Sequence, residues 1–343
     1  MPLSDILQKL SARQNLTTDE TREAFDQIFT GTMPKDQISA FLLGLRSKGE
    51  TTGEILGAVR SMRSNMHPLN APPGAIDIVG TGGDGHGTLN VSTAAALVVA
   101  ACGVPVAKHG NRASSSLSGS SDTLGKLGVN LEPDWHILER CLNEIGIVFL
   151  FAPRHHPAMR HVAEVRRELG VRTIFNLLGP LTNPANVKHH LIGVYDSKWL
   201  MPMTEVLKAL GSERSWLVHG EGLGRDGLDE ISTIGPTDIV ELRDGKIDHF
   251  AVSPEAVNIP RERLDDLKGG DAGVNAEAVR RMLAGKHGPY RDIVVMNAAA
   301  GLVVGGKAES LIQGVHLAQE AIDSGAARQK LEALAKMTNE ASK

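Results

Sequence analysis

One stretch of the chain restricts its fold more than any other. The apolar run Ile76-Asp77-Ile78-Val79 enters Gly80-Thr81-Gly82-Gly83-Asp84-Gly85-His86-Gly87-Thr88 and leaves, through Asn90-Val91-Ser92-Thr93, into an Ala/Val-rich segment. A short β run, a glycine loop and an apolar helix over Ser92 to Ala101 form the first half of a βαβ unit. Val104 to Ala107 is predicted as its second strand. Ile147 to Phe151, Leu191 to Val194 and Trp216 to Val218 read as further strands, with helical stretches such as Pro133 to Ile145 between them. Strands alternating with helices predict an α/β fold: a mostly parallel central sheet flanked by helices on both faces. Asp238 to Phe250, with Arg243-Asp244-Gly245-Lys246 at its middle, is predicted as a hairpin. Met296 to Val304 and Leu311 to Ile322 are predicted as packed C-terminal helices.

The N-terminal segment, to about residue 68, has only short helical patterns. Thr17 with Glu20 and Thr51 with Glu54 have capping-box spacing, and Ile38, Phe41, Leu42 and Leu45 make one apolar stripe. Four such helices have little core of their own, so their apolar faces must bury against the main domain or a second copy of the chain. Pro68-Leu69-Asn70-Ala71-Pro72-Pro73-Gly74 reads as a linker. The expected division is a small all-helical N-terminal domain, residues 1–70, and a large α/β domain, residues 74–343.

A formal net charge of −4 without long runs of either sign argues against nucleic-acid or membrane-surface binding. The longest apolar run, Ala94 to Val106, is too short to span a bilayer, and no signal-peptide pattern opens the chain. Cys102 and Cys141 lack metal-ligand spacing and read as buried thiols in a reducing compartment. The expected location is the cytoplasm.

Glycines let a backbone approach a ligand closely, and successive loop amides ahead of a helix N-terminus favour an anion. An isolated glycine-rich turn with an ordinary helix cap would look similar. A second segment, Lys108-His109-Gly110-Asn111-Arg112-Ala113-Ser114-Ser115-Ser116, continuing to Ser120, follows a strand with a cation and then hydroxyls, donors suited to pyrophosphate oxygens. The adjacent carboxylates Asp229 and Glu230 suit Mg²⁺, which takes one or two carboxylates plus substrate phosphates. Arg166 could grip a carboxylate by two parallel hydrogen bonds, or form a surface ion pair with Glu164 or Glu168. Neither a P-loop nor a dinucleotide-binding glycine pattern is present.

These motifs together, with Arg172-Thr173-Ile174-Phe175-Asn176-Leu177-Leu178-Gly179-Pro180-Leu181-Thr182-Asn183-Pro184 and Arg291-Asp292-Ile293-Val294, resemble the anthranilate phosphoribosyltransferases over nearly the whole chain. Gly-Thr-Gly-Gly alone is shared with pyrimidine nucleoside phosphorylases, whose second loop typically reads Lys-Met-Ser-Gly-Arg. The resemblance implies transfer of a phosphoribosyl group from phosphoribosyl pyrophosphate (PRPP) to anthranilate, with Mg²⁺ as cofactor. It implies a homodimer formed through the small domain, with a segment near 170–187 returning to that domain. For PRPP it implies Gly80, Gly83, Asp84, Thr88, Asn90, Val91, Ser92, Thr93, Lys108, His109, Gly110, Asn111, Arg112, Ala113, Ser114, Ser115, Ser116 and Ser120. Gly80, Asn111 and Arg166 would meet anthranilate, and Ser92, Asp229 and Glu230 the metal. Lys108, His109 and Arg166 are the expected catalytic residues, His109 being either the acceptor of the amine proton or a donor lining the pocket. Three features depart from the family pattern: a longer loop over 221–226, Ser121, and Gly125-Lys126.

Overall fold

The fold is built on a seven-stranded sheet, seen in a computed structural model that describes residues 2–112, 117–222 and 227–340. Its strands are β1 (Ile76–Gly80), β2 (Val106–Gly110), β3 (Ile147–Phe151), β4 (His189–Gly193), β5 (Arg214–Gly220), β6 (Thr237–Arg243) and β7 (Lys246–Val252). Their spatial order is β3-β2-β1-β4-β5-β6-β7; the first five run parallel, and β6 pairs antiparallel with both β5 and β7. β6 and β7 form the expected hairpin, turning through Asp244 and Gly245 at φ 50° and 76°. Two positive-φ residues match the right-handed strand twist that tight hairpins need.

Four helices precede the sheet: α1 (Leu3–Ser11), α2 (Thr18–Phe29), α3 (Lys35–Lys48) and α4 (Thr52–Ser64). Both predicted capping boxes form, opening α2 and α4. The apolar stripe Ile38, Phe41, Leu42 and Leu45 is wholly buried. It does not wait for a second copy of the chain. The rings of Phe41 and Phe175 lie 5.6 and 5.5 Å from Phe25, and Phe175 belongs to a helix 150 positions further along the sequence.

After β1 come α5 (Val91–Ala101), α6 (Ser120–Lys126), α7 (Trp135–Arg140), α8 (Ala152–His155), α9 (Arg160–Leu169), α10 (Phe175–Leu181) and α11 (Leu200–Ala209). The chain closes with α12 (Ala272–Leu283), α13 (Pro289–Val304), α14 (Leu311–Asp323) and α15 (Ala326–Thr338). Alternation along the strands divides the core in two. Leu191, Trp216 and Val218 face an apolar cluster with α5, α13 and α14, whereas Ile192, Leu217 and Val240 face one containing α1–α4, α9, α10 and α11. Arg63 of α4 ties the second cluster internally, its Nε and Nη2 donating to the Leu181 carbonyl at 3.0 and 2.8 Å.

Several boundaries differ from expectation: α13 begins at Pro289 rather than Met296, and β4 and β5 span 189–193 and 214–220 rather than 191–194 and 216–218. β2 starts at Val106 rather than Val104, because Gly103 and Pro105 carry the chain out of α5 before pairing begins, so Lys108 and His109 lie inside the strand. The helix expected over Pro133 to Ile145 is α7 followed by a wide π turn ending at Gly146, φ +71°.

Candidate active site

In an open α/β sheet, ligands bind beyond the carboxyl ends of the strands where the strand order reverses. Here that point lies between β1 and its neighbours β2 and β4. A cavity of about 620 Å³ opens there. It is lined by Gly80, Gly83, Asp84, Thr88, Asn90, Val91, Ser92 and Thr93 from the first motif, and by Lys108, His109, Gly110, Asn111, Arg112 and Ser120 from the second. Arg166, Asp229 and Glu230 line it too. Ala113, Ser114, Ser115 and Ser116 lie outside the described residues, as does the 223–226 part of the long loop.

The glycine loop is pinned at its start. Thr81 N donates to the Gly193 carbonyl at 2.9 Å, and Gly82 N to Asp229 Oδ2 at 2.7 Å. Gly82 and Gly83 take φ of +67° and +81°, conformations open to glycine and strained for other residues. Asp229 lies across the ends of β1 and β4, so close that a side chain on Gly80 or Gly193 would collide with it. The long loop before it is tied at its base by paired hydrogen bonds between Gly220 and Leu228 at 2.8 and 2.9 Å, which sets Asp229 at the cleft rim.

Lys108 is buried rather than mobile. Its Nζ donates to the Ile78 carbonyl at 2.5 Å and to Ser92 Oγ at 3.2 Å. Burial pulls its pKa down, opposed by the charges of Asp77, Glu230 and Asp229. Glu230 accepts from the Ser92 backbone amide at 3.1 Å. One of the first amides of α5 is therefore already committed to a carboxylate.

Asp84, Asp229 and Glu230 converge on this wall. Burial, then the charge of Asp84, raises Asp229 to about 8; burial and Asp229 push Glu230 well above the usual carboxylate range. Asp84 Oδ2 is buried without a hydrogen-bond partner. Three hard oxygen donors with a deficit of positive charge suit a divalent cation. They do not make a closed protein cage among the described residues. Asp229, Glu230 and Ser92 can hold Mg²⁺ only in part, and phosphate oxygens would complete its shell.

His109 Nδ1 lies 3.1 Å from the Gly179 carbonyl. A carbonyl only accepts, so Nδ1 carries the proton and Nε2 keeps its lone pair. Nε2 is buried without a partner, and burial depresses the ring to about 4. The His156 ring lies 5.1 Å away, tilted by 54° to it, both ring nitrogens unpartnered. Arg166 makes no ion pair with Glu164 or Glu168. Glu164 pairs with Lys35 instead, and the half-buried Arg166 guanidinium sits 5.2 Å over the Phe175 ring.

The sequence reading missed part of this wall. His156, Met159, Asn176, Gly179 and Pro180 line the cavity. No sequence signal marked His156, which lies five residues past the end of β3, beyond α8. Asn183 was also given no role, yet it donates to Asp77 Oδ2 and to the Ala107 carbonyl, both at 2.7 Å, beneath the cleft floor. Of the departures from the family pattern, Ser121 is buried with an unpartnered hydroxyl, and Gly125 and Lys126 are exposed at the end of α6.

Comparison with known proteins bears on this cavity. Residues 72–328 match the glycosyl transferase family a/b domain, and residues 4–66 its helical bundle domain. Anthranilate phosphoribosyltransferase of Rhodopseudomonas palustris (strain TIE-1) is 54% identical over 329 residues, covering 96% of each chain. That of Azospirillum brasilense is 54% identical over 334 residues, 97% of this chain and 92% of the other. Among solved structures, anthranilate phosphoribosyltransferase from Thermus thermophilus superposes with a TM-score of 0.91 at 44% identity, over 98% of this chain and 100% of that one. The Saccharomyces cerevisiae enzyme in complex with PRPP and Mg gives 0.88 at 27% identity, over 98% and 97%.

Proposed function

The chain belongs to the anthranilate phosphoribosyltransferase family, and we propose that the cavity at the strand ends is where it performs that family's reaction. The enzyme transfers the phosphoribosyl group of PRPP to the amine of anthranilate, giving N-(5-phosphoribosyl)anthranilate and pyrophosphate, with Mg²⁺ as cofactor and tryptophan as the pathway's end product. The observation that carries the site assignment is the meeting of Asp84, Lys108, Asp229 and Glu230, drawn from three distant segments, on one wall.

Displacement at the anomeric carbon develops positive charge on the sugar and negative charge on departing pyrophosphate. Mg²⁺, when bound, supplies Lewis-acid neutralisation of that leaving group. Lys108 adds a fixed ammonium beside Ser92, already oriented by its bonds to Ile78 and Ser92. The loop amides not already spent within the fold, as those of Thr81, Gly82 and His86 are, and the side chains of Asn90, Ser92 and Thr93 hold the phosphates. The attacking amine of anthranilate is neutral, so positioning outweighs prior deprotonation. Arg166 orients its carboxylate and Asn111 the other end, next to Gly80. Once the C–N bond forms, the nitrogen is cationic and its proton needs only a weak base. His109 Nε2, with its free lone pair, is placed to take it.

The same reading divides the chain into residues 1–70 with the segment near 170–187, and residues 74–343, and pairs two copies through the smaller part. Support for the division comes from Phe175, Leu177, Leu178 and Leu181, which share one apolar cluster with α1–α4. Cytoplasmic residence is supported by the free thiols of Cys102 and Cys141. No described helix is long and apolar enough to cross a membrane.

Incubating the purified protein with PRPP, Mg²⁺ and anthranilate, and following the loss of anthranilate fluorescence, tests the activity. Phosphate-dependent cleavage of a pyrimidine nucleoside, without anthranilate consumption, would replace this reading with the phosphorylase one. Sedimentation velocity tests the dimer.

A further inference from the structure

Asn90 sits at the start of α5 and lines the cavity, but its side-chain contacts come from distant parts of the sequence. Its side-chain oxygen Oδ1 accepts from Thr123 Oγ1 at 2.5 Å and from Asn275 Nδ2 at 3.0 Å. Its backbone carbonyl accepts from Tyr290 Oη at 3.0 Å. Asn275, at the start of α12, is nearly fully buried, and its Oδ1 accepts from the Gly270 backbone amide at 2.8 Å.

The direction of this chain of bonds follows from its first member. A backbone N–H only donates, so the Gly270 amide requires the oxygen of Asn275. The Asn275 nitrogen must then point to Asn90, and Asn90 must answer with its oxygen. The Thr123 hydroxyl spends its proton on the same oxygen, so it receives from Ser118 Oγ, 3.0 Å away. What remains of the Asn90 amide is Nδ2, a two-proton donor with no partner among the described residues. Gly270 is itself held in place, because Gly269 N donates to the Gly87 carbonyl and Leu89 N to the Leu267 carbonyl, each at 2.9 Å. The 267–270 segment and the glycine loop thus form one unit.

We infer that Asn275 is a positioning residue for PRPP: it fixes the orientation of the Asn90 amide so that its nitrogen, and not its oxygen, meets the phosphoribosyl pyrophosphate. A phosphate oxygen needs a donor. A reversed amide would present a lone pair to an anion, so the orientation decides between attraction and repulsion. The inference rests on the assignment of Asn90 to PRPP made above.

Asn275→Asp tests it with almost no change in shape. The carboxylate still accepts from Gly270 N but cannot donate to Asn90, whose amide is driven to turn its nitrogen inward. Dissociation constants for Mg·PRPP by calorimetry, KM for both substrates and the thermal midpoint are to be measured in two backgrounds, the natural chain and Asn90→Ala. The expected result is PRPP binding about tenfold weaker or more, the scale of one hydrogen bond to a charged group. The anthranilate KM should be kept, and the substitution should cost little further once Asn90 is Ala. Asn275→Ala, with its smaller loss, serves if the Asp variant does not fold. Undiminished PRPP binding, or an equal loss in both backgrounds, overturns the role of Asn275. A silent Asn90→Ala instead removes Asn90 from the PRPP site, and the inference falls with it.

Discussion

Asp229 rests on Gly193: the backbone of the carboxylate-bearing loop passes over the end of β4 at a distance that excludes even a methyl group. The same holds at Gly80, the paired position on β1, where a Cβ would strike the Asp229 carboxylate. The position of the Asp229 carboxylate therefore depends on two bare strand ends in register.

Gly193→Ala is expected to shift Asp229 and lower kcat/KM roughly 100-fold, as misplacements near 1 Å commonly do. Far-ultraviolet circular dichroism should stay near that of the parent. Parent-like kinetics with an unchanged Mg²⁺ optimum would show that the close approach has no bearing on the metal.

Replacing both carboxylates by their amides, Asp229→Asn with Glu230→Gln, should move stability and activity in opposite directions. The folded-state pKa of Asp229, about 8, lies above its unfolded value of about 3.9, so ionisation at pH 7.5 works against the folded chain. Without metal, the thermal midpoint of the double variant should rise. With Mg·PRPP, the parent should gain further stability and the variant should not. A lower midpoint without metal contradicts the charge deficit, and retained turnover contradicts the metal assignment.

Arg166→Ala should raise the anthranilate KM about 10- to 100-fold, the loss of charge-assisted bonds worth about 1.5–3 kcal/mol, while PRPP binding is kept. Steady-state kinetics with each substrate varied in turn decides it. Equal losses for both would mean that Arg166 supports the cleft as a whole.

The fold was readable because periodicity is a local property. Ile76 to Val79, the hairpin and both capping boxes could be found from residues a few positions apart, and they form where the pattern placed them. Candidate metal and phosphate residues could be named because their motifs are short, in order, and resemble those of a known family. Buried partners were illegible for the opposite reason. Nothing near Asn275 or Asn183 indicates that each bonds to a residue more than 100 positions away, and nothing near Lys108 indicates that its amine is spent on Ile78 and Ser92. Such contacts exist only once the sheet has assembled.

Acid should weaken the fold in part through His190, fully buried in β4 with Nδ1 3.2 Å from Ser215 Oγ and Nε2 unpartnered. Burial holds it at about 3, below an unfolded value of about 6.5. As pH falls through that window, the unfolded chain binds a proton that the folded one refuses. Stability then drops by about 1.4 kcal/mol per pH unit from this group alone. Urea titrations between pH 6 and 4.5 should show a shallower decline in His190→Asn. Parallel lines for parent and variant would clear His190 of the effect.

Arg166 and Phe175 belong to helices packed with the N-terminal bundle, whereas Lys108, Asn90 and the glycine loop belong to the sheet and its other face. On the proposed reading the acceptor is held from both walls, by Arg166 on the helical side and by Gly80 and Asn111 at the strand ends, whereas the donor lies against the sheet side. A small tilt between the walls would part Arg166 from Asn111 and Gly80 and lengthen the gap from amine to anomeric carbon, while the donor's contacts stay on one wall. Distance across the cleft would therefore couple the hold on the acceptor to the speed of transfer, independently of how tightly the donor is held.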